Sequence, residues 1–254
     1  MLIGVICFSG YKVWEISAQY LHEAQVKDEL VQFRPQTQES VDSLIGTVVA
    51  PDAIVVYDPT VPEPVKYGNQ SIIDLQNNVN EDVVAWLTIP NTNIDYPIVA
   101  GADNVYYLDK DIHKNKAKAG TIFVDYRCAP NFTGFNTVVY GHNMKNRSMF
   151  GDLREFADSS FFEENQRGFL FLADDTYVLE FFAYMVIRAN DPVIYAPLPV
   201  PDKFIQYARD EAMNFREPRD GVNVLTLSTC AYNYNGARMV LLANMVPLSA
   251  FDRG

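Results

Sequence analysis

The stretch Asn223–Arg238, NVLTLSTCAYNYNGAR, brings a thiol and a guanidinium close together along the chain. Val224, Leu225, Thr226, Leu227 and Thr229 form an almost unbroken run of β-branched and apolar residues. Asn233, Asn235 and Gly236 then supply turn chemistry before a second run, Arg238–Val246. The spacing predicts a buried strand that ends on Cys230 beside a loop, where a rigid sheet can present a nucleophile to a cleft. A free cysteine is as readily a small buried hydrophobe, so the thiol needs a base before it implies chemistry. Of the three histidines, His22 falls in a polar helical segment and His113 in the lysine-rich run Lys110–Lys118, and both read as solvated surface. His142 follows the short apolar strand Asn136–Gly141, NTVVYG, so it too stands at a strand mouth and is the candidate partner of a Cys/His pair.

Such a pair has a population problem. A free thiol titrates near 8.5 and a free imidazole near 6.5, so thiolate and imidazolium coexist at neutral pH in only about one molecule per hundred if they titrate independently. A fixed positive charge beside the thiol favours thiolate, and guanidinium donors can also hold the oxyanion of a tetrahedral intermediate, which is the use Arg238 would have. A lone arginine is otherwise an ordinary exposed strand residue.

TLSTC with an arginine downstream, preceded by YGH at Tyr140–His142, resembles a sortase, the cysteine transpeptidase of Gram-positive cell surfaces. From about Leu75 to Val246 the segments VVAWLTIPNTNIDYPIV, GTIFVDYR, NTVVYGHN, SMFGDL and TLSTC resemble the class B branch of that family. The resemblance implies Cys230 as nucleophile, His142 as general acid and Arg238 as the oxyanion-stabilising and substrate-orienting arginine. It implies Ser228, Asn104, Leu108, Ile194 and Tyr195 as substrate contacts. Leu108 and Ile194 read equally as core, and Asn104 as a cap. The substrates it implies are surface proteins bearing a C-terminal sorting signal, cut after threonine. The thioacyl group then passes to a peptidoglycan cross-bridge amine or a pilin lysine, without metal or organic cofactor. It also implies a monomer on the extracytoplasmic face of the membrane, held by an N-terminal anchor. One departure is visible: class B members often carry an acidic residue just after the cysteine, where this chain has Ala231 and Tyr232.

Composition is compatible with this reading and does not produce it. The chain of 254 residues is 48% apolar, enough for one large β-rich domain. A net charge of -12 argues against nucleic acid as the principal partner. Cys7, Cys128 and Cys230 are too far apart to suggest a disulfide framework or metal-ligand spacing.

The elements that must position the site follow in order. Met1–Phe8 is apolar but far shorter than the roughly 20 residues of a membrane span, and residues 1–10 read as a flexible terminus or the outer end of an anchor, the resemblance favouring the anchor. An amphipathic helix is expected over 11–34 and a Pro-containing linker over 35–70. The catalytic domain is expected over 71–250. It begins with a short helix at about Ser71–Asn78, followed by Asn80 as N-cap of a second helix. Many short strands then predict a mainly β fold, a closed β-barrel of about eight strands with N-terminal helices. An amphipathic run at Asp202–Phe215 inserts a helix before the cysteine strand. Two other functions remain open: a hydrolytic cysteine peptidase using the same dyad, and a non-enzymatic β-rich surface module with Cys230 as buried structure. An L,D-transpeptidase is disfavoured by the lack of a histidine-glycine pair shortly before the cysteine.

Overall fold

The computed structural model describes residues 2–35, 66–230 and 236–251, so the expected linker falls almost wholly outside the described residues. Helix α1 (Leu2–Leu30) runs into a 3-10 turn at Val31–Phe33, and α2 (Gln70–Asn78) precedes the first strand. Then come β1 (Val83–Thr88), β2 (Asp95–Ala100), β3 (Ile122–Val124) and β4 (Asn136–Tyr140). After the short helix α3 (Ser159–Glu164), β5 (Arg167–Leu172) and β6 (Thr176–Arg188) form a hairpin. Helix α4 (Pro201–Glu211) leads to β7 (Asn214–Phe215), β8 (Asn223–Cys230) and β9 (Ala237–Pro247).

Strands β5, β1, β2, β3, β4, β8, β9 and β6 pair in that order, and β5 pairs back to β6 to close a ring of eight. Closure leaves no free edge in the ring. Among the described residues only β7 is appended, beside β6 at Ala183 and Tyr184. All pairings are antiparallel except β2 with β3 and β4 with β8, which are parallel and therefore need long crossovers. The second of these is the important one, because the cysteine strand enters the sheet beside the histidine strand only after the chain has built β5, β6 and α4.

Alternation along each strand sends residues to the two faces in turn. On β8, Leu225 and Leu227 point into the barrel with Leu170, Leu179 and Leu241, while Val224 points out to a second apolar layer with Val240 and Leu242. Phe204 and Ala208 of α4 cover that outer layer. Phe150, Phe156, Phe162 and Phe181 fill the barrel interior and are essentially inaccessible.

Three expectations are corrected. No helix follows Asn80; the Asn80 side chain accepts the Asp82 N–H at 3.0 Å and donates to Tyr107 Oη and the Ile112 carbonyl, making a turn into β1. The run from Val83 has sheet partners on both sides, β2 and β5, which overrides any helical preference. The helix before the cysteine strand stops at Glu211, and Phe215 belongs to β7. Helix α1 begins at Leu2, well before residue 11, and lies along the barrel. The two histidines read as solvated surface do lie at the surface, His22 exposed and His113 half-buried, and they also tie α1 down: His22 Nε2 is 2.9 Å from Asp111 Oδ2 and His113 Nε2 is 3.2 Å from Glu29 Oε2. Partners so distant in sequence have no local signal. Lys27 Nζ donates to the Asn93 carbonyl and Arg34 pairs with Asp95 along the same seam. Among the described residues no helix is long and apolar enough to cross a membrane.

The exit of β4 is closely packed. A Cβ on Gly141 would lie 2.8 Å from Cγ and 2.9 Å from Cδ2 of the buried Phe150 ring. Gly141→Ala is therefore expected to destabilise the fold by about 1–3 kcal/mol, as overpacking does, and to shift the adjoining His142. Thermal unfolding would check it, and an unchanged midpoint would count against this packing.

Candidate active site

Cys230, the last residue of β8, is exposed. Across the antiparallel pair its Cα partner is Arg238 of β9, which puts the two side chains on one face, with Cβ atoms about 5 Å apart for such a pair. On the other side β4 runs parallel in the register Tyr140↔Ser228, and the Gly141 N–H continues the ladder to the Ser228 carbonyl at 3.3 Å. Two residues beyond Tyr140 stands His142, and two residues beyond Ser228 stands Cys230. The three sequence candidates, 88 or more positions apart for the histidine, are thus adjacent because three neighbouring strands end at one rim.

Asn143 locks this arrangement. Its Nδ2 donates to the Cys230 carbonyl at 2.7 Å, while its Oδ1 accepts from Arg154 Nη2 at 2.7 Å. Arg154 is itself held by a bond from Nε to the Gly151 carbonyl at 2.7 Å. The loop after β4 is therefore pinned to the cysteine backbone one residue beyond the histidine.

His142 Nε2 lies 2.7 Å from the Leu108 carbonyl oxygen. A carbonyl can only accept, so Nε2 carries the hydrogen and in the neutral ring Nδ1 holds the free lone pair. Leu108 comes from the 3-10 turn Tyr106–Asp109 and is 40% exposed. Arg238 is half-buried, with Nη1 donating to the Ala237 carbonyl at 3.1 Å. Ala231 and Tyr232 lie outside the described residues.

Beneath Cys230 on the same face is a buried polar chain. Ser228, fully buried, shares a hydrogen bond of 2.8 Å with the Tyr195 hydroxyl. Burial pushes the Tyr195 phenol up to about 12, against the bond to Ser228. The Tyr195 ring stacks on Tyr140 with centroids 6.2 Å apart, and the Tyr140 hydroxyl donates to Asp125 Oδ2 at 3.0 Å. Arg127 forks onto the same carboxylate through Nε at 2.9 Å and Nη2 at 2.6 Å. Asn104 accepts the N–H of Tyr126, next to Asp125, at 3.1 Å. Asp125 is 1% exposed. Burial by itself would raise its pKa, but the Arg127 guanidinium and N–H together with the Tyr140 hydroxyl hold it below the usual carboxylate range.

The fold therefore gathers Cys230, His142, Arg238, Ser228 and Tyr195, with Asn104 and Leu108 on the loop facing them. Ile194 is different: it is fully buried in the outer layer with Phe204 and Met185, its N–H held by Asp191. Sequence reasoning missed Asn143, Asp125, Tyr140 and Arg154. The signals of Asn143, Tyr140 and Asp125 were present in YGHN and VDYR, and Arg154 follows SMFGDL, but as short polar interruptions they carry no chemistry until the fold pairs them. Among the described residues no cluster of His, Cys, Asp or Glu could hold a metal ion.

Comparison with known proteins gives one family. The Sortase domain family matches residues 87–246. Sortase B of Listeria monocytogenes is 31% identical over 97% of this chain and 94% of that relative. A mutant form of Clostridium perfringens sortase B superposes with a TM-score of 0.65 at 31% identity, covering 70% of this chain and 87% of that one. A Streptococcus pyogenes class B sortase involved in pilus biogenesis gives 0.64 at 28% identity, covering 68% and 96%.

A pH test follows from Asp125. Its folded pKa is depressed, so its stabilisation is fully present above the unfolded value of about 3.9 and is lost as pH falls through the folded value. Asp125→Asn is expected to cost about 1–3 kcal/mol at pH 7. The gap between variant and wild type should close as pH drops below about 4, which denaturant melts at pH 7 and pH 3 would measure.

Proposed function

The chain belongs to the sortase family, in its class B branch, and on that premise we propose that Cys230, His142 and Arg238 carry its acyl transfer. The protein is a cysteine transpeptidase for cell-wall or pilin anchoring, of a family that works on the extracytoplasmic side of Gram-positive cells. In our reading Cys230 thiolate attacks the carbonyl of a threonine in a C-terminal sorting signal. The developing oxyanion is met by the Arg238 guanidinium, with the N–H that follows the cysteine as second donor. The imidazolium of His142 protonates the departing amine. A thioacyl-enzyme remains, and an acceptor amine attacks it while His142 takes the amine's proton. The acceptors we carry forward are a peptidoglycan cross-bridge amine and a pilin lysine.

The observation that supports this most is the register at the rim: Arg238 is the cross-strand partner of Cys230, and the loop bearing His142 is hydrogen-bonded to the Cys230 carbonyl through Asn143. Tyr195, its hydroxyl held by the fully buried Ser228, backs the wall we assign to the sorting peptide, with Asn104 and Leu108 opposite. Ile194 supports that wall from behind. We further propose that the apolar start of α1, LIGVICF at Leu2–Phe8, leads to the membrane attachment.

Mass spectrometry of the enzyme with threonine-containing sorting peptides, with and without an added amine, tests the reading. A thioester on Cys230 that the amine converts to a new amide is the expected result, and Cys230→Ala should show neither species. Loss of the imidazole in His142→Ala is expected to slow turnover about 10²–10⁴-fold, and Arg238→Ala about 10²–10³-fold. Arg238→Lys should rescue little, since an ammonium lacks the planar fork. Release of acid alone despite excess amine would turn the reading toward a peptidase. A thiol inert to alkylation in the folded protein would end it.

A further inference from the structure

A cavity of about 690 Å³ lies between α1 and the barrel wall, within the usual size of a small-molecule site, about 300–1,000 Å³. One side is α1 from Trp14 to Leu30; the other is β2, the segment 108–122 and the loop after β4. His142 and Leu108 are part of its wall, whereas Ser228 and Tyr195 are not. They sit in or beside the outer layer that α4 covers. His142 is thus reached from two directions, one along the surface assigned to the sorting peptide and one through this cavity.

The lining is mostly apolar, with Trp14, Val26, Leu108, Ile112, Met144 and Met149 contributing. Four carboxylates interrupt it: Glu15, which pairs with Lys12, the half-buried Glu23, the exposed Asp109, and the buried Asp111, which pairs with His22. Of the basic groups on the lining, Lys27 is turned to the Asn93 carbonyl and the Tyr96 hydroxyl, and Lys116 and Lys118 are exposed. We propose that this cavity is the acceptor subsite and that it is built for a primary amine at the end of an aliphatic chain, such as a lysine or diamino-acid side chain. This rests on the transpeptidase reading given above.

The chemistry selects that class. An attacking amine must be neutral, and an apolar surrounding lowers the pKa of an ammonium, which activates it as a nucleophile. The carboxylates draw the charged form to the cavity, and the methylenes replace water against the methionine and leucine side chains. A glycine-rich acceptor would instead bury peptide N–H and C=O groups without partners on these apolar walls, an unfavourable exchange. In the step itself the amine nitrogen bonds to the thioacyl carbon, the carbon–sulfur bond breaks with its electron pair returning to Cys230, and the amine proton passes to Nδ1 of His142. The products are an amide, a thiolate and an imidazolium, so the dyad is restored for the next cycle.

The test compares Nα-acetyl-lysine amide with triglycine amide at equal concentration as acceptors for the preformed thioester, reading the ratio of amide to hydrolysed acid. The lysine derivative should be favoured by about tenfold or more, the scale of apolar-pocket discrimination. Ala18→Trp on α1 and Ala117→Trp on the facing wall each fill the cavity, and both should abolish the preference while thioester formation keeps its wild-type rate. Equal or better use of triglycine, retention of the preference in both variants, or a parallel loss of thioester formation would each overturn the proposal. A binding measurement separates it from the catalytic reading. In Cys230→Ala the tryptophan signal comes from Trp14 on the cavity and from Trp86, which is 2% exposed. A saturable change in emission with Nα-acetyl-lysine amide and none with triglycine amide supports the cavity whether or not any peptide acylates Cys230. No saturable change with the lysine derivative rejects it.

Discussion

The parallel pairing of β4 with β8 is the constraint on which the active rim depends. Because side chains alternate along a strand, a slip of one residue would turn Cys230 and Ser228 into the barrel and expose Leu227. The register Tyr140↔Ser228 is protected on both faces: Leu225 and Leu227 are buried inside, and Val224 and Ser228 are fully enclosed outside. The antiparallel partner β9 fixes the other side, carrying Arg238 opposite Cys230. One central strand therefore sets the lateral position of all three groups, and the barrel's closure through β5 and β6 leaves it little freedom to shift.

A second layer of control is polar and buried. The chain from Asp125 through Tyr140 and Tyr195 to Ser228 runs beneath the rim, with Arg127 neutralising the one charge it contains. Hydrogen bonds in such a low-dielectric setting are strong when complete and costly when broken. They specify one arrangement of the loop that carries Asn104 and of the loop that carries Tyr195, on two sides of the thiol. Asn143 extends the same principle to the histidine loop, since its amide is shared between the Cys230 carbonyl and Arg154.

Helix α1 adds a wall that the barrel lacks. Its ties are gathered in its C-terminal part and just past its end, from His22 with Asp111 through Lys27 with Asn93 to Arg34 with Asp95, and Leu30 is buried against the outside of the barrel. Since Leu108 and His142 contribute to the space it encloses, the helix shapes the surroundings of the histidine and not only the stability of the domain.

Much of this was readable in the chain. The runs NTVVYG and NVLTLSTC are strands by composition, YGH and TLSTC mark two strand mouths, and the helix after Pro201 shows its apolar spacing directly. Those are local properties, set by residue type and period, and they identified the chemistry and the barrel. What stayed illegible was long-range. The start of β1 at Val83 was hidden because its partners β2 and β5 decide it, and the roles of His22 and His113 because their carboxylates are more than 80 residues away. Ile194 reads the same in a loop whether it meets substrate or core, and only the docking of α4 buries it. Asn143, Asp125 and Tyr140 are individually unremarkable letters that gain meaning when β4 pairs with β8 on one side and β3 on the other, which brings Asn143 to the Cys230 carbonyl at 2.7 Å and the Tyr140 hydroxyl to Asp125 at 3.0 Å. Residue types determine which groups can react and which segments extend. Tertiary structure alone decides which of them meet, because hydrogen bonds and charge pairs are short-ranged in space and indifferent to separation along the chain.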